Sequence, residues 1–393
     1  MNTRFPRFLV LGAFAAVSRV AAIYAPIPEQ DQGKDFTVTL RAGLSYDSNL
    51  FGGATGAIGS AVWEFAPRIA YNASLTDQTF LSAAYGLTLD QFERRPGDKL
   101  LDSHEAMLRV AHAFSKGTTI DVTDTFTASR NPESLLNGVP LNTDQSFQRN
   151  ELDARFDTQV TGKIGVTAKV RSIEFAYRNA TLGRSLDRVE NLYGFSSDYA
   201  VLPELKAVAE YRHQDVFYRK LGEIKNKNSD FAMGGFDYEV AKKLTLSGRA
   251  GAEWRDRAAE RNATAPYLEL SGKYDYSEQS FLTAGYIYTL EETSDTARFN
   301  DSQVHRLFVS VQHRVTALIV ASGLIGYEPS QLQGRRGQVD VDENTFRFGF
   351  GLTYQPTKNW SISATFDHDR VDSDDPARDL KRDRVGLNAG YTF

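Results

Sequence analysis

The chain has 393 residues, with 45 basic against 50 acidic side chains, a net charge of −5 and no cysteine. Evenly mixed charge offers no basic block for nucleic acid, and the missing thiols exclude disulfides, thiolate metal sites and cysteine nucleophiles. Mean hydropathy is −0.40 and no apolar run approaches the ~20 residues of a membrane-spanning helix, so a helical membrane protein is excluded while a β-barrel is not.

Residues 1–22 read as a secretory signal. Arg4 and Arg7 precede an apolar core, Phe8 to Val17, and Val20-Ala21-Ala22 offers small residues for cleavage. Arg19 is an unusual charge beside that site. Residues 23–34 read as a short periplasmic segment before a barrel over residues 35–393.

From Phe36 the chain reads as one strand after another. Phe36, Val38, Leu40, Ala42, Leu44 and Tyr46 alternate with Thr37, Thr39, Arg41, Gly43, Ser45 and Asp47. Such a run exceeds the ~5–6 residues of an ordinary soluble strand and suits the ~9–11 of a tilted membrane strand. A Gly-rich loop, 48–60, leads to a strand with Trp63, Phe65, Ile69 and Tyr71. A turn near Leu75 to Gln78 precedes Leu81, Ala83, Tyr85, Leu87 and Leu89. A polar loop, Arg94 to Asp102, then gives way to Ala106, Leu108 and Val110. After a turn at Ser115 to Thr118 come Ile120, Val122, Phe126 and Ala128, and then a long loop from Arg130 to about Phe147.

Leu152, Ala154 and Phe156 pass through the turn Thr161-Gly162-Lys163 to Ile164, Val166, Ala168 and Val170. The apolar phase slips there to Ile173, Phe175 and Tyr177, the pattern of a bulge near Arg171. Further pairs run from Tyr193 to the C-terminal strand. Long polar connections alternate with short turns, which an up-and-down meander with two different ends predicts. The expected fold is all-β: a transmembrane antiparallel up-and-down β-barrel of about 18 strands. Its long loops should be external, so that Gly138 is reachable from outside and Gly162 is not.

On a membrane strand the apolar set faces lipid and the other set faces the lumen. The expected pore-lining residues are Arg41, Arg68, Arg109, Arg155, Glu210, Arg212, Arg249, Glu253 and Arg347. Glu64, Glu105, Asp153, Asp157, Lys169, Glu269, Lys273, Asp367 and Asp369 fall on the same face. Charges of both signs at that density call for a water-filled or plugged interior. Two readings stay open: a pore, or charges that pair across strands and simply fill the interior. Tyr46, Tyr71, Tyr85, Trp254, Tyr274, Tyr354, Trp360 and Tyr391 suit aromatic girdles, though plain strand packing would also place them.

Chemistry is sparse. His104, His112, His213, His305, His313 and His368 show no metal-binding spacing. Asp340, Asp342 and Asn344 begin like a calcium loop, but Thr345 stands where the turn needs Gly. Asp372, Asp374 and Asp375 suit a solvated loop better than a cation site. Asp367 and His368 are strand neighbours and point to opposite faces. No nucleophile elbow or phosphate loop occurs, so neither enzyme activity nor any cofactor is expected.

The last ten residues, Arg384 to Phe393, alternate cleanly and end on an aromatic residue two places after Tyr391. This ending resembles the C-terminal signature of Gram-negative outer-membrane barrels, which implies that Tyr391 and Phe393 act as an assembly signal for the outer-membrane barrel assembly machinery. Gly43 to Phe51 (GLSYDSNLF) is similar to the opening of the family named Putative beta-barrel porin 2. The resemblance implies residence in the cell outer membrane among lipid and lipopolysaccharide, and a porin-like pore or export conduit for an exopolysaccharide, working with polysaccharide export components. The alternative is a non-conducting structural or binding barrel whose external loops contact lipopolysaccharide or partners. The loop from Arg130 to Phe147 would narrow a pore if folded inward and bind something if folded outward.

Overall fold

In the computed structural model the described residues are 36–129, 146–293 and 295–393. The expected signal segment and the loop around Gly138 lie outside them. Eighteen antiparallel strands follow one another around a closed sheet. They are β1 (Phe36–Asp47), β2 (Ser60–Thr76), β3 (Thr79–Phe92), β4 (Leu100–Ser115), β5 (Thr118–Ser129) and β6 (Phe147–Gln159). There follow β7 (Ile164–Tyr177), β8 (Arg188–Leu202), β9 (Leu205–Tyr218), β10 (Lys227–Ala241), β11 (Leu244–Arg257) and β12 (Ala263–Ser277). The last six are β13 (Ser280–Glu291), β14 (Phe299–Arg314), β15 (Ile319–Gly334), β16 (Val341–Tyr354), β17 (Trp360–Ser373) and β18 (Leu380–Thr392).

Closure removes the sheet edges. Strand β18 pairs with β1 from Thr39 opposite Thr392 to Asp47 opposite Arg384. The seam is held at one end by Thr39 Oγ1 and Thr392 Oγ1 at 3.1 Å. At the other end the buried Arg382 guanidinium donates to both oxygens of Asp47.

The alternation has the expected consequence. Leu40, Leu44, Trp63, Phe65, Ile69, Leu108, Phe236, Leu307, Phe350 and Leu387 stand exposed on the outside of the sheet, where hydrocarbon covers them. All eight girdle candidates are on that outer surface by strand parity. The polar partners of these residues face inward.

Short turns close one end of the barrel, and three of them share a device. Thr161 Oγ1 accepts from the Lys163 and Ile164 amides, Thr316 Oγ1 from Leu318 and Ile319, and Thr357 Oγ1 from Asn359 and Trp360. A hydroxyl that takes up two amides reverses the chain within a few residues. At the other end the connections are longer and carry α1 (Ala180–Leu186) and α2 (Gly222–Lys225).

One expectation fails. There is no bulge at Arg171: the register of β7 runs unbroken, with Asp153 and Leu192 opposite that residue on either side. The apolar phase changes because the demand changes. Ile173, Phe175 and Tyr177 point inward at the wide-loop end, where Tyr177 packs with Leu182 and Leu186 of α1 and with Phe147 and Phe175. Beyond the hydrocarbon the outer face no longer needs to be apolar, and α1 supplies an internal apolar partner.

The chain has no native cysteine, which makes the orientation testable. Val339 is exposed in the connection between β15 and β16, and Lys163 is exposed in a short turn. Val339→Cys should react with an impermeant maleimide on intact cells, and Lys163→Cys should react only after the outer membrane is opened. The reverse pattern would invert the barrel.

Candidate functional site: the lumen

All nine expected lining residues lie on the inner face, but they do not form one ring. Arg41 (β1) pairs with Glu64 (β2) at 2.9 Å. Arg109 (β4) donates through Nε and a terminal nitrogen to Asp121 (β5), both at 3.0 Å. Arg68 is exposed in a shallow recess beside Glu105 and Met107. Arg347 (β16) lies opposite Asp369 of β17, which in turn accepts from Arg384 at 3.2 Å. Glu253 is fully buried against Arg255 at 2.8 Å and belongs to the outer mouth.

Arg155, Glu210, Arg212 and Arg249 do come together. They line a cavity of about 390 Å³ along the inner wall of β6 to β12. The wall carries Arg155, Lys169, Lys206, Arg212 and Arg249 against Asp157, Asp198, Glu210, Asp237 and Glu269, with no aromatic ring among the lining residues. Glu210 is the hub. It accepts from Arg212 at 2.7 Å, with Arg249 at 3.5 Å and Lys169 at 3.8 Å. Arg212 also donates to the Tyr267 hydroxyl at 3.0 Å, and that hydroxyl donates to Glu269 at 2.7 Å.

The outer mouth is shaped by a segment that the sequence did not single out, the connection from β13 to β14. Thr293 and Thr296 are buried. Thr296 Oγ1 accepts from Lys225 Nζ of α2 at 2.8 Å, and the Thr296 carbonyl accepts from Arg335 at 2.8 Å. Arg298 reaches Asp375 at 2.7 Å across to the connection between β17 and β18. Beneath this lies Asp301, fully buried, which accepts from Lys227 at 2.8 Å and Arg255 at 2.6 Å and pairs with Arg257. Lys227 also donates to both oxygens of Glu292 at 2.9 and 3.0 Å.

Electrostatics at the mouth follow from this packing. Burial opposes ionisation of Glu292, but the Lys227 ammonium and Arg255 guanidinium outweigh it and hold the carboxyl below its usual range. Among the described residues Lys225 donates to neutral oxygens, the Ser185 carbonyl and Thr296 Oγ1. Burial, with Arg335 and Lys227 nearby, pushes its ammonium down to about 8. Asp375 is held low by its hydrogen bond from Arg298.

The histidines form two belts on the outer surface. Toward the wide-loop end, His104 bonds Tyr85 at 2.8 Å and Asp102 at 3.0 Å, and His213 bonds Asp230 at 2.8 Å. In the same belt His305 bonds Tyr286 at 2.8 Å and His368 bonds Asp383 at 2.6 Å. Toward the turns, His112 bonds Thr79 at 2.8 Å and His313 bonds Tyr276 at 3.0 Å. On β4 and on β14 two histidines bracket an apolar stretch (Ala106, Leu108, Val110; Leu307, Val309, Val311). Eight residues cover about 27 Å along a strand, and a tilt of about 35–45° reduces that to roughly 19–22 Å, within the ~25 Å of an outer-membrane apolar band. Asp367 points into the lumen and His368 away from it, so the two never meet.

Comparison with known proteins agrees with this architecture. OpdQ of Pseudomonas aeruginosa superposes with a TM-score of 0.50 at 12% identity, over 92% of this chain and 99% of its own. OccAB4 of Acinetobacter baumannii gives 0.48 at 10%, over 92% and 100%. The FrpB iron transporter of Neisseria meningitidis (F5-1 variant, apoprotein form) gives 0.47 at 9%, over 92% and 81%. At 12% identity the OpdQ match speaks to fold alone. No curated protein sequence matches. A sequence profile of Putative beta-barrel porin 2 matches residues 35–393. That match covers the whole barrel, and the chain belongs to the Putative beta-barrel porin 2 family, as an outer-membrane β-barrel of porin type.

Proposed function

We propose that the barrel is a passive conduit for small hydrophilic solutes. One observation supports this most: the charged cavity along β6 to β12. A space lined by ten ionised groups holds water, and an 18-strand barrel is wide enough for an aqueous channel. The segment from β13 to β14 narrows the conduit on one side. Residues 130–145 of the loop from Arg130 to Phe147 lie outside the described residues.

Purified protein in planar bilayers should give discrete conductance steps in KCl, smaller than those of an unobstructed barrel of this strand number. Absence of steps would favour the alternative, a closed barrel whose external loops contact lipopolysaccharide or partners. Export of an exopolysaccharide, with polysaccharide export components as partners, is the finer reading that family resemblance implies. It would appear in the same bilayers as current block by the producing strain's own oligosaccharides, and unperturbed current would dismiss it. The cavity wall favours small solutes, because it offers no aromatic face on which a sugar ring could stack.

A further inference from the structure

On β6 to β9 the charges of the cavity wall are sorted by strand register, while Arg249 and Lys206 stand among the carboxylates nearer the turns. Arg155 of β6 lies opposite Lys169 of β7, Lys169 opposite Gly194 of β8, and Gly194 opposite Arg212 of β9. Two residues along, Asp157 lies opposite Thr167, Thr167 opposite Ser196, and Ser196 opposite Glu210. Three cations, Arg155, Lys169 and Arg212, therefore lie on the wide-loop side of two carboxylates, Asp157 and Glu210, with about 6.8 Å between the two backbone rows. The rows are joined by Arg155 to Asp157 at 2.6 Å and Arg212 to Glu210 at 2.7 Å.

Each solute class meets this wall differently. A net anion gains from Arg155, Lys169 and Arg212 but is repelled by Asp157 and Glu210, and a net cation meets the converse. A neutral polyol displaces water from ionised groups and returns only neutral hydrogen bonds. A zwitterion replaces lost hydration at both rows with charge-assisted bonds, which are about twice as strong as neutral ones.

Resting on the pore reading above, we propose that this wall is a selectivity surface for small zwitterions. The carboxylate end is held toward the outside by the cation row. The ammonium end is held toward the periplasm by the carboxylate row. Asp157 and Arg155 determine the preference.

The test uses the whole barrel in proteoliposomes, with glycylglycine, arabinose and succinate as probes of similar size. Glycylglycine should enter about five-fold faster than arabinose, which corresponds to roughly 1 kcal/mol of preference, and faster than succinate. Reversal potentials in a KCl gradient should lie near zero for the native protein. Asp157→Asn should shift them toward anion selectivity, Arg155→Gln toward cation selectivity, and either change should reduce the glycylglycine advantage. KCl steps with equal entry of glycylglycine and arabinose would overturn the zwitterion assignment and leave the pore standing. Faster entry of succinate would do the same. No KCl conductance at all would overturn both.

Discussion

Asp301→Ala should be the most damaging single substitution at the outer mouth. The carboxylate is fully buried and accepts from Lys227 and Arg255 while pairing with Arg257. Removing one member of a buried charge network leaves the others uncompensated, typically at about 3–5 kcal/mol. Glu292 still neutralises Lys227 and Glu253 still accepts from Arg255 at 2.8 Å, so the cation that loses its carboxylate is Arg257. The strain falls on the first residues of β14 and on the segment that β14 receives from β13, which depends on Lys225 and Arg335 for its inward fold. The variant should lose thermal stability in detergent, become cleavable by external protease between residues 292 and 298, and show larger conductance steps. Unchanged step size together with unchanged protease resistance would show that this segment does not narrow the conduit.

That mouth marks the limit of what the sequence discloses. Period-2 alternation makes strand order, closure and the inner face of Arg41, Arg212 or Asp369 legible, because lipid and water impose opposite demands on successive residues. The inward fold at Thr293 and Thr296 depends on partners as distant in sequence as Lys225 and Asp375, and no local pattern announces it. The slip at Ile173 was legible as a change of phase and was misread as a bulge, because α1 supplied an apolar partner inside the barrel. The sorted rows were hidden for a different reason. Arg155, Lys169 and Arg212 become neighbours only once the register of β6, β7, β8 and β9 is known. The histidine belts were within reach: His104 and His112, and His305 and His313, share the parity of the apolar residues between them.

Phe393 separates stability from assembly. Its ring is 61% exposed and touches the Tyr391 ring edge-on at 4.7 Å, while its amide donates to the Val38 carbonyl at 2.9 Å. Phe393→Ala keeps that backbone bond and removes only a ring with little protein around it. The stability lost should therefore fall below the ~1.5–3 kcal/mol of a fully buried side chain, and protein refolded into detergent should melt within a few degrees of the native barrel. We propose that Tyr391 and Phe393 also form the strand that the outer-membrane assembly machinery reads, and this gives the substitution a second, larger effect. In cells the amount of heat-modifiable barrel in the outer membrane should fall several-fold, with unfolded chain accumulating in the periplasm. Tyr391→Ala should act in the same direction, since its ring meets both Trp360 and Phe393 edge-to-face. Leu387→Ala, on the same outer face of β18 but away from both rings, should leave the cellular level near native. Equal cellular defects from all three substitutions would mean that the strand contributes only as a stave. A defect confined to positions 391 and 393, with melting unchanged, would mean that it is read before it is folded.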